Sequence, residues 1–398
     1  VSNSNVTIRN CKFDGSFEGA NSTGNGGFIS WVDEESKATI ENCLFAPTAI
    51  NTKLDKCETW ARKDSRGTVT ITNSHYTKEY SAYETTTIDG KTFMVLRSEA
   101  DWTKFKWAIK DNNFTNAIMA ADFTVDDCVA WDGEGTFSGI FDGNGHTLTA
   151  NLDNGASPYA LFKNGQGCTI KNLHVKGTVK GGTHAAALVG TAGLVNGKWT
   201  DIQNCRVSAS VESSDWLAGG FIGRGTHANI QNCRFDGSIR CKKAQVDGSQ
   251  NWAGTFFGFR DGELDETVTN AAVKNCLEQA TWYDITHKHL NTKPWTYWGN
   301  GENDDTKNNW SYTGVSGATS TAGLTLTQLV EKLGSSNWEE SDGIAVPKMF
   351  KQDISVNPWL KLSASQQVET LGKDNWEVVD GNVVPKMQSA STATSDHD

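Results

Sequence analysis

Basic charge is in short supply. Thirty-six Lys and Arg stand against 47 Asp and Glu, a formal net charge of −11, and no basic run is longer than Lys242-Lys243. Nucleic acid and anionic membrane surfaces are therefore not expected as partners. Long hydrophobic runs are missing too: nothing approaches the roughly 18 consecutive apolar residues of a membrane span, so no membrane insertion is expected. Proline is scarce, at 6 residues against 39 glycines, and only 21% of the chain is charged, whereas 15 tryptophans are far above ordinary usage. That is the profile of a turn-rich β protein with helices in the minority. CxxC spacing is also absent, which argues against a zinc or redox pair among the nine cysteines; the odd number leaves at least one thiol unpaired. The start, Val1-Ser2-Asn3-Ser4, is neither an initiator nor a signal peptide and reads as part of something longer.

What is present is a repeat. One phrase recurs as Val6-Thr-Ile-Arg-Asn10-Cys11, Ala38-Thr-Ile-Glu-Asn42-Cys43, Val69-Thr-Ile-Thr-Asn73-Ser74, Cys168-Thr-Ile-Lys-Asn172-Leu173, Thr200-Asp-Ile-Gln-Asn204-Cys205, Ala228-Asn-Ile-Gln-Asn232-Cys233 and Ala271-Ala-Val-Lys-Asn275-Cys276. Successive Asn positions differ by 32, 31, 99, 32, 28 and 43, a unit near 30 residues with one long interruption. Apolar and polar residues alternate up to each Asn, the pattern of a strand, a bend and another strand. Such a unit cannot bury its own apolar face and must stack on its neighbours, which predicts a parallel β-solenoid. Stacking places the seven Asn at one bend of successive coils as a hydrogen-bonded ladder. Cys11, Cys43, Cys205, Cys233 and Cys276 then form a column of reduced, buried thiols.

A second phrase lies between the bends: Gly26-Gly-Phe-Ile-Ser30, Ala186-Ala-Leu-Val-Gly190, Gly219-Gly-Phe-Ile-Gly223 and Gly254-Thr-Phe-Phe-Gly258. Small residues ahead of an apolar pair suit a tight corner followed by an inward strand. With both phrases, the sequence resembles the GLUG-motif right-handed β-helices of bacterial, mostly Gram-positive, cell-surface proteins. The resemblance covers residues 1 to about 83 and 160 to 280. It implies a right-handed solenoid, an extracellular or bacterial cell-surface location, and a role in display or adhesion. Proteins of this look include the gut-commensal B-cell superantigens, which bind immunoglobulin variable domains outside the antigen site, so the resemblance implies a host-protein partner, immunoglobulin first.

Four regions are expected: terminal coils of a preceding solenoid over 1–86, a capped solenoid over 87–315, two small α+β repeat units over 316–390, and a disordered tail over 391–398. The cap is an amphipathic helix, announced by Ser98 with Glu99 and Asp101 and by Trp102, Phe105, Ala108 and Ile109 at helical spacing. The repeat units are visible because Leu333-Gly-Ser-Ser-Asn-Trp338 through Pro347-Lys-Met349 realigns 38 residues later as Leu371-Gly-Lys-Asp-Asn-Trp376 through Pro385-Lys-Met387. Each follows a capping-box pair, Thr325 with Gln328 and Ser363 with Gln366.

Right-handed β-helices include polysaccharide lyases and hydrolases, so acidic pairs are candidates for a catalytic site. None of Asp126-Asp127, Asp142, Asp261 or Asp304-Asp305 recurs at coil spacing beside a basic residue, and no enzymatic activity is expected. His146 reads as structural. His287 and His289 lack a visible third metal ligand, and the acidic loop 300–305 lacks calcium-loop spacing, so no metal and no cofactor is expected. The strongest surface signal is aromatic: Trp282, Tyr283, Trp295, Tyr297, Trp298, Trp310 and Tyr312, seven rings in 31 positions outside the repeat. Either they plug the end of the solenoid or they form a binding face, to which Trp252 in the interrupted coil 241–252 would add. The expected function is a non-catalytic, monomeric binding module for a host protein; a glycan-binding adhesin or polysaccharide-active β-helix is the alternative.

Overall fold

A computed structural model describes residues 4–17, 25–50, 57–63, 66–80, 83–110, 115–129, 136–153, 155, 159–215, 217–241, 252–260, 271–282, 308–312, 318–354 and 357–387. The chain is a β-solenoid with a capping helix and small helix–hairpin units, and it divides into two bodies: Thr85–Gln352, and Val1–Glu84 with Asp353–Asp398. The first helix–hairpin unit belongs to Thr85–Gln352 and the second to the body that includes Asp353–Asp398.

In the larger body a hairpin of Thr85–Ile88 and Lys91–Leu96 turns at Asp89 and Gly90, both at positive φ as a tight two-residue turn requires. Strand Lys91–Leu96 pairs in parallel with Ala117–Met119, which pairs with Ile140–Asp153. From there every coil adds in parallel. Ile170, Ile202, Ile230 and Val273 stack in register before the bend, and Val175, Val207 and Phe235 after it. A second sheet stacks Phe162, Val189, Ile222 and Phe257, and a third joins Ala185–Ala186, Leu217–Gly219 and Trp252–Gly254. The paired glycines mark where two backbones close in. A Cβ on Gly219 would lie 1.9 Å from the Ile222 carbonyl, and one on Gly220 2.0 Å from that of Thr255.

Helix α1 (Glu99–Lys110) buries Trp102, Phe105, Ala108 and Ile109, as its periodicity predicts. Its Ser98 hydroxyl and Asp101 carboxylate satisfy the first turn, with Arg97 N–H donating to Asp101 Oδ2 at 3.0 Å. Trp102 meets Phe141 and Phe162 edge-on, and Phe105 meets Phe137, so the helix closes the core with rings. At the other end of the body, α2 (Leu326–Leu333) and the hairpin Trp338–Ser341/Ile344–Pro347 pack on Leu277 and Trp310.

In the smaller body three coils stack through Asn5–Arg9, Lys37–Glu41 and Thr68–Thr72, with Lys12–Phe13, Leu44–Phe45 and His75–Tyr76 beyond the bend. Its core is aromatic, built on Phe45 and Tyr80 with Phe13, Phe17, Phe28 and Trp60. Helix α3 (Ala364–Leu371) and the hairpin Trp376–Val379/Asn382–Pro385 pack on Leu44. The tail 391–398 lies outside the described residues.

Candidate functional site

The seven repeat asparagines share one backbone conformation, with φ between 42° at Asn73 and 54° at Asn172, the left-handed region that Asn tolerates better than most residues. The bend frees each side chain to reach along the stack. Asn73 Nδ2 donates to Asn42 Oδ1 at 2.8 Å, Asn232 to Asn204 at 3.1 Å and Asn275 to Asn232 at 3.4 Å. Two further residues outside the seven-fold phrase belong to the column. Asn308 donates to Asn275 Oδ1 at 3.0 Å, and Asn144 occupies the same bend in the first coil of the larger body. Between them Asn172 donates to Asp142 Oδ1 at 3.0 Å. At the far end of the smaller body Asn10 Oδ1 is buried with no partner among the described residues.

Just after each bend the thiols form hydrogen bonds of their own. Cys205, Cys233 and Cys276 each donate to the carbonyl two residues back, at 3.1, 3.1 and 3.2 Å, and to an Ile carbonyl of the preceding coil. Ser74 and Asn309 take the same place where no Cys is present: Ser74 accepts from Cys43 N–H, and Asn309 accepts from Cys276 N–H. None of the nine cysteines, all of them among the described residues, is in a disulfide. Cys11 departs from the expected buried column, being only half-buried in the first described coil. Burial holds the Cys205 and Cys233 thiols well above their ordinary range and pushes Cys128, Cys168 and Cys241 up to about 12, so these are poor nucleophiles.

The ladder face of the larger body is covered by the chain itself. Asn308 Nδ2 donates to Lys332 O at 2.8 Å, Arg234 Nη1 to Ala345 O at 2.7 Å, Phe350 N–H to Asn172 Oδ1 at 3.1 Å, and Asn144 Nδ2 to Gln352 O at 3.2 Å. Residues 332–352 thus run as a strap from the last bend back to the first. Arg234, almost fully buried, is held there by Asp236 and Gln279 as well.

The aromatic candidates separate. Trp310 is buried under α2, and its indole donates to Asn308 Oδ1 at 2.9 Å. Tyr312, two residues on, is 42% exposed, with the Arg234 guanidinium 6.0 Å from its ring centroid. Trp282 and Trp252 contribute backbone to strands, while Tyr283, Trp295, Tyr297 and Trp298 lie outside the described residues. In the smaller body Arg62 sits 4.7 Å over the Trp31 ring, on the paired strands Ile29–Val32 and Ala61–Lys63. Among the acids, Asp142 is buried against Lys171 at 3.1 Å, Asp127 is paired with Lys106, and His146 is bonded to Asp122 at 2.9 Å. Asp261, Asp304, Asp305, His287 and His289 lie outside the described residues.

No protein-family model and no curated protein matches the chain. Among solved structures it is similar to a chain from Bacteroides ovatus named a "putative immunoglobulin A1 protease", at 14% identity and a TM-score of 0.37, covering 66% of this chain and 94% of that one. This finding overturns the expectation that the chain is not an enzyme, because the neighbour is named as a protease; the non-catalytic reading is withdrawn. At that identity and TM-score the likeness assigns no activity and no catalytic residue here.

Proposed function

We propose that the chain is a binding module of a secreted or surface-displayed bacterial protein that recognises a host protein where its coils are interrupted. The division of labour among side chains supports this reading. Most inward positions are packed, most bend positions are bonded to the next coil or to the strap, and the column thiols bond to backbone carbonyls. At the breaks, among the described residues, Tyr312 stands exposed beside Arg234. Large rings bury much area at little rotamer cost, which is why they dominate contact hot spots. Immunoglobulin is the partner put first, in keeping with the resemblance to GLUG-type superantigens.

Pull-down of serum immunoglobulin by the purified chain, run beside a glycan array, tests the reading. Capture of immunoglobulin with a blank array is the expected result. Sugar binding without capture would replace it with glycan recognition.

A further inference from the structure

The two helix–hairpin units dock in the same way on two different solenoid ends. In the larger body the corner is Leu277, Asn308 and Trp310; in the smaller it is Leu44, Asn73 and His75, the same positions relative to the ladder. Each terminal Asn donates to the same carbonyl of its unit, Lys332 O or Thr370 O, at 2.8 Å in both. The apolar sets also correspond across the 38-residue shift: Leu324, Val330, Leu333 and Trp338 against Leu362, Val368, Leu371 and Trp376. Even the lysines after the hairpins match, Lys348 Nζ and Lys386 Nζ each reaching a carbonyl 13 residues back at 2.7 Å.

One pair is exchanged. On the larger body the solenoid supplies the big ring, Trp310, and the unit offers Thr321, whose N–H and hydroxyl bond to the Ser311 carbonyl at 3.1 and 3.3 Å. On the smaller body the solenoid supplies the smaller ring, His75. The unit answers at the position equivalent to Thr321 with Trp359, stacked on the imidazole at a centroid distance of 4.2 Å and 10° between planes. The neighbouring long side chain follows suit: Lys332 Nζ lies 5.6 Å over the Trp310 ring, whereas its counterpart Thr370 turns its hydroxyl back to Gln366 O.

We infer that Trp310/Thr321 and His75/Trp359 are a large/small key that assigns each helix–hairpin unit to its own solenoid end. The apolar contacts and the Asn-to-carbonyl bond are shared, whereas the lead-in differs: Thr319–Ser320 pairs in parallel with Trp310–Ser311, while Asn357 caps the single turn Pro358–Lys361 and donates to Tyr76 O. A unit bearing Trp359 set on a corner bearing Trp310 places two indoles in one site; a unit bearing Thr321 set on His75 leaves a ring-sized gap. Overpacking and cavities in a buried contact both destabilise, so the pair discriminates between the two partners. Selection by a clash against the wrong partner is a common route to specificity.

Hydrogen exchange of the full chain tests the key, read separately at 364–371 for α3 and at 326–333 for α2. His75→Trp is expected to speed exchange across α3 by about tenfold or more while α2 stays protected, the size of a typical coupling between packed neighbours. Adding Trp359→Thr should restore protection to α3. The mirror pair, Thr321→Trp alone and with Trp310→His, should release and then restore α2, which keeps the test intact if one pair folds poorly. Rescue in either pair supports the key. Double variants that are no better protected than the sum of their single variants in both pairs would overturn it, as would His75→Trp leaving α3 unchanged.

Discussion

Asn308 gives its side-chain amide to the carbonyl of Lys332 at 2.8 Å, tying the last bend of a ladder to the end of a helix. The bond does two things. It satisfies a carbonyl that a helix C-terminus leaves open, and it makes the same column of asparagines that holds the coils together also hold the unit that covers them. Replacing Asn308 by Ala should loosen α2 and leave α3 alone, and Asn73→Ala should do the reverse. Each should cost about 1–3 kcal/mol for the unpaired groups, checked by denaturant unfolding and by exchange at each helix.

Within the ladder, Asn204→Ala removes the acceptor of Asn232 Nδ2 and leaves at φ 51° a residue that tolerates the left-handed region less well than Asn. A loss of about 1–3 kcal/mol is expected for the bonds, with roughly 1 kcal/mol more for the backbone. Asn204→Gly relieves the backbone and should lie between Ala and the parent. Equal melting temperatures for parent and Asn204→Ala would remove the ladder as a source of stability.

The thiol column predicts an order of labelling. Cys43, Cys205, Cys233 and Cys276 are buried and donate to carbonyls, whereas Cys11 is partly open. Under native conditions an alkylating reagent should modify Cys11 well before the other four, read residue by residue by mass spectrometry of the digested chain.

Acid should weaken the larger body through His174. Burial, reinforced by the Arg206 charge, lowers its pKa to about 4, and its ring bonds to Ser208 Oγ at 2.7 Å. Below pH 6.5 the unfolded chain takes up a proton that the folded chain refuses until near pH 4. Stability contributed by the neutral ring is therefore complete above about pH 6.5 and falls as the pH drops towards 4, by at most about 3 kcal/mol. His174→Asn should flatten that part of the stability–pH curve measured by denaturant titration.

Trp102 is the centre of the helical cap, with its indole donating to Asp127 O at 3.0 Å. Trp102→Ala should cost about 3–5 kcal/mol, as for other buried rings, and melting followed by circular dichroism would show it.

The repeat was legible because its physics is local. An Asn that tolerates the left-handed bend, flanked by alternating apolar residues, announces one coil wherever it occurs, and Ser98 with Trp102 and Phe105 announces the cap just as directly. Asn308 escaped because Asn309 and Trp310 stand where the phrase has Cys and a following Lys, Arg, His or Leu; the clue was that Asn309, like a thiol or Ser74, can serve the neighbouring coil's backbone. Asn144 was hidden in a glycine-rich turn. Which solenoid each C-terminal unit covers was not legible, since Asn73 and Thr370 are 297 residues apart and nothing local marks them as partners. The fate of Trp310 was equally closed to sequence: plug and contact residue share one composition, and only packing under α2 tells them apart.

Recognition at the broken coils is tested most directly at Trp295 and Trp298, by measuring the Kd for serum immunoglobulin and the melting temperature of the parent chain and of the two single Ala variants. An anchor should lose about 2 kcal/mol, roughly 30-fold in Kd, at an unchanged melting temperature. Unchanged affinity in both variants, or a parent chain that captures no immunoglobulin, would contradict the proposal.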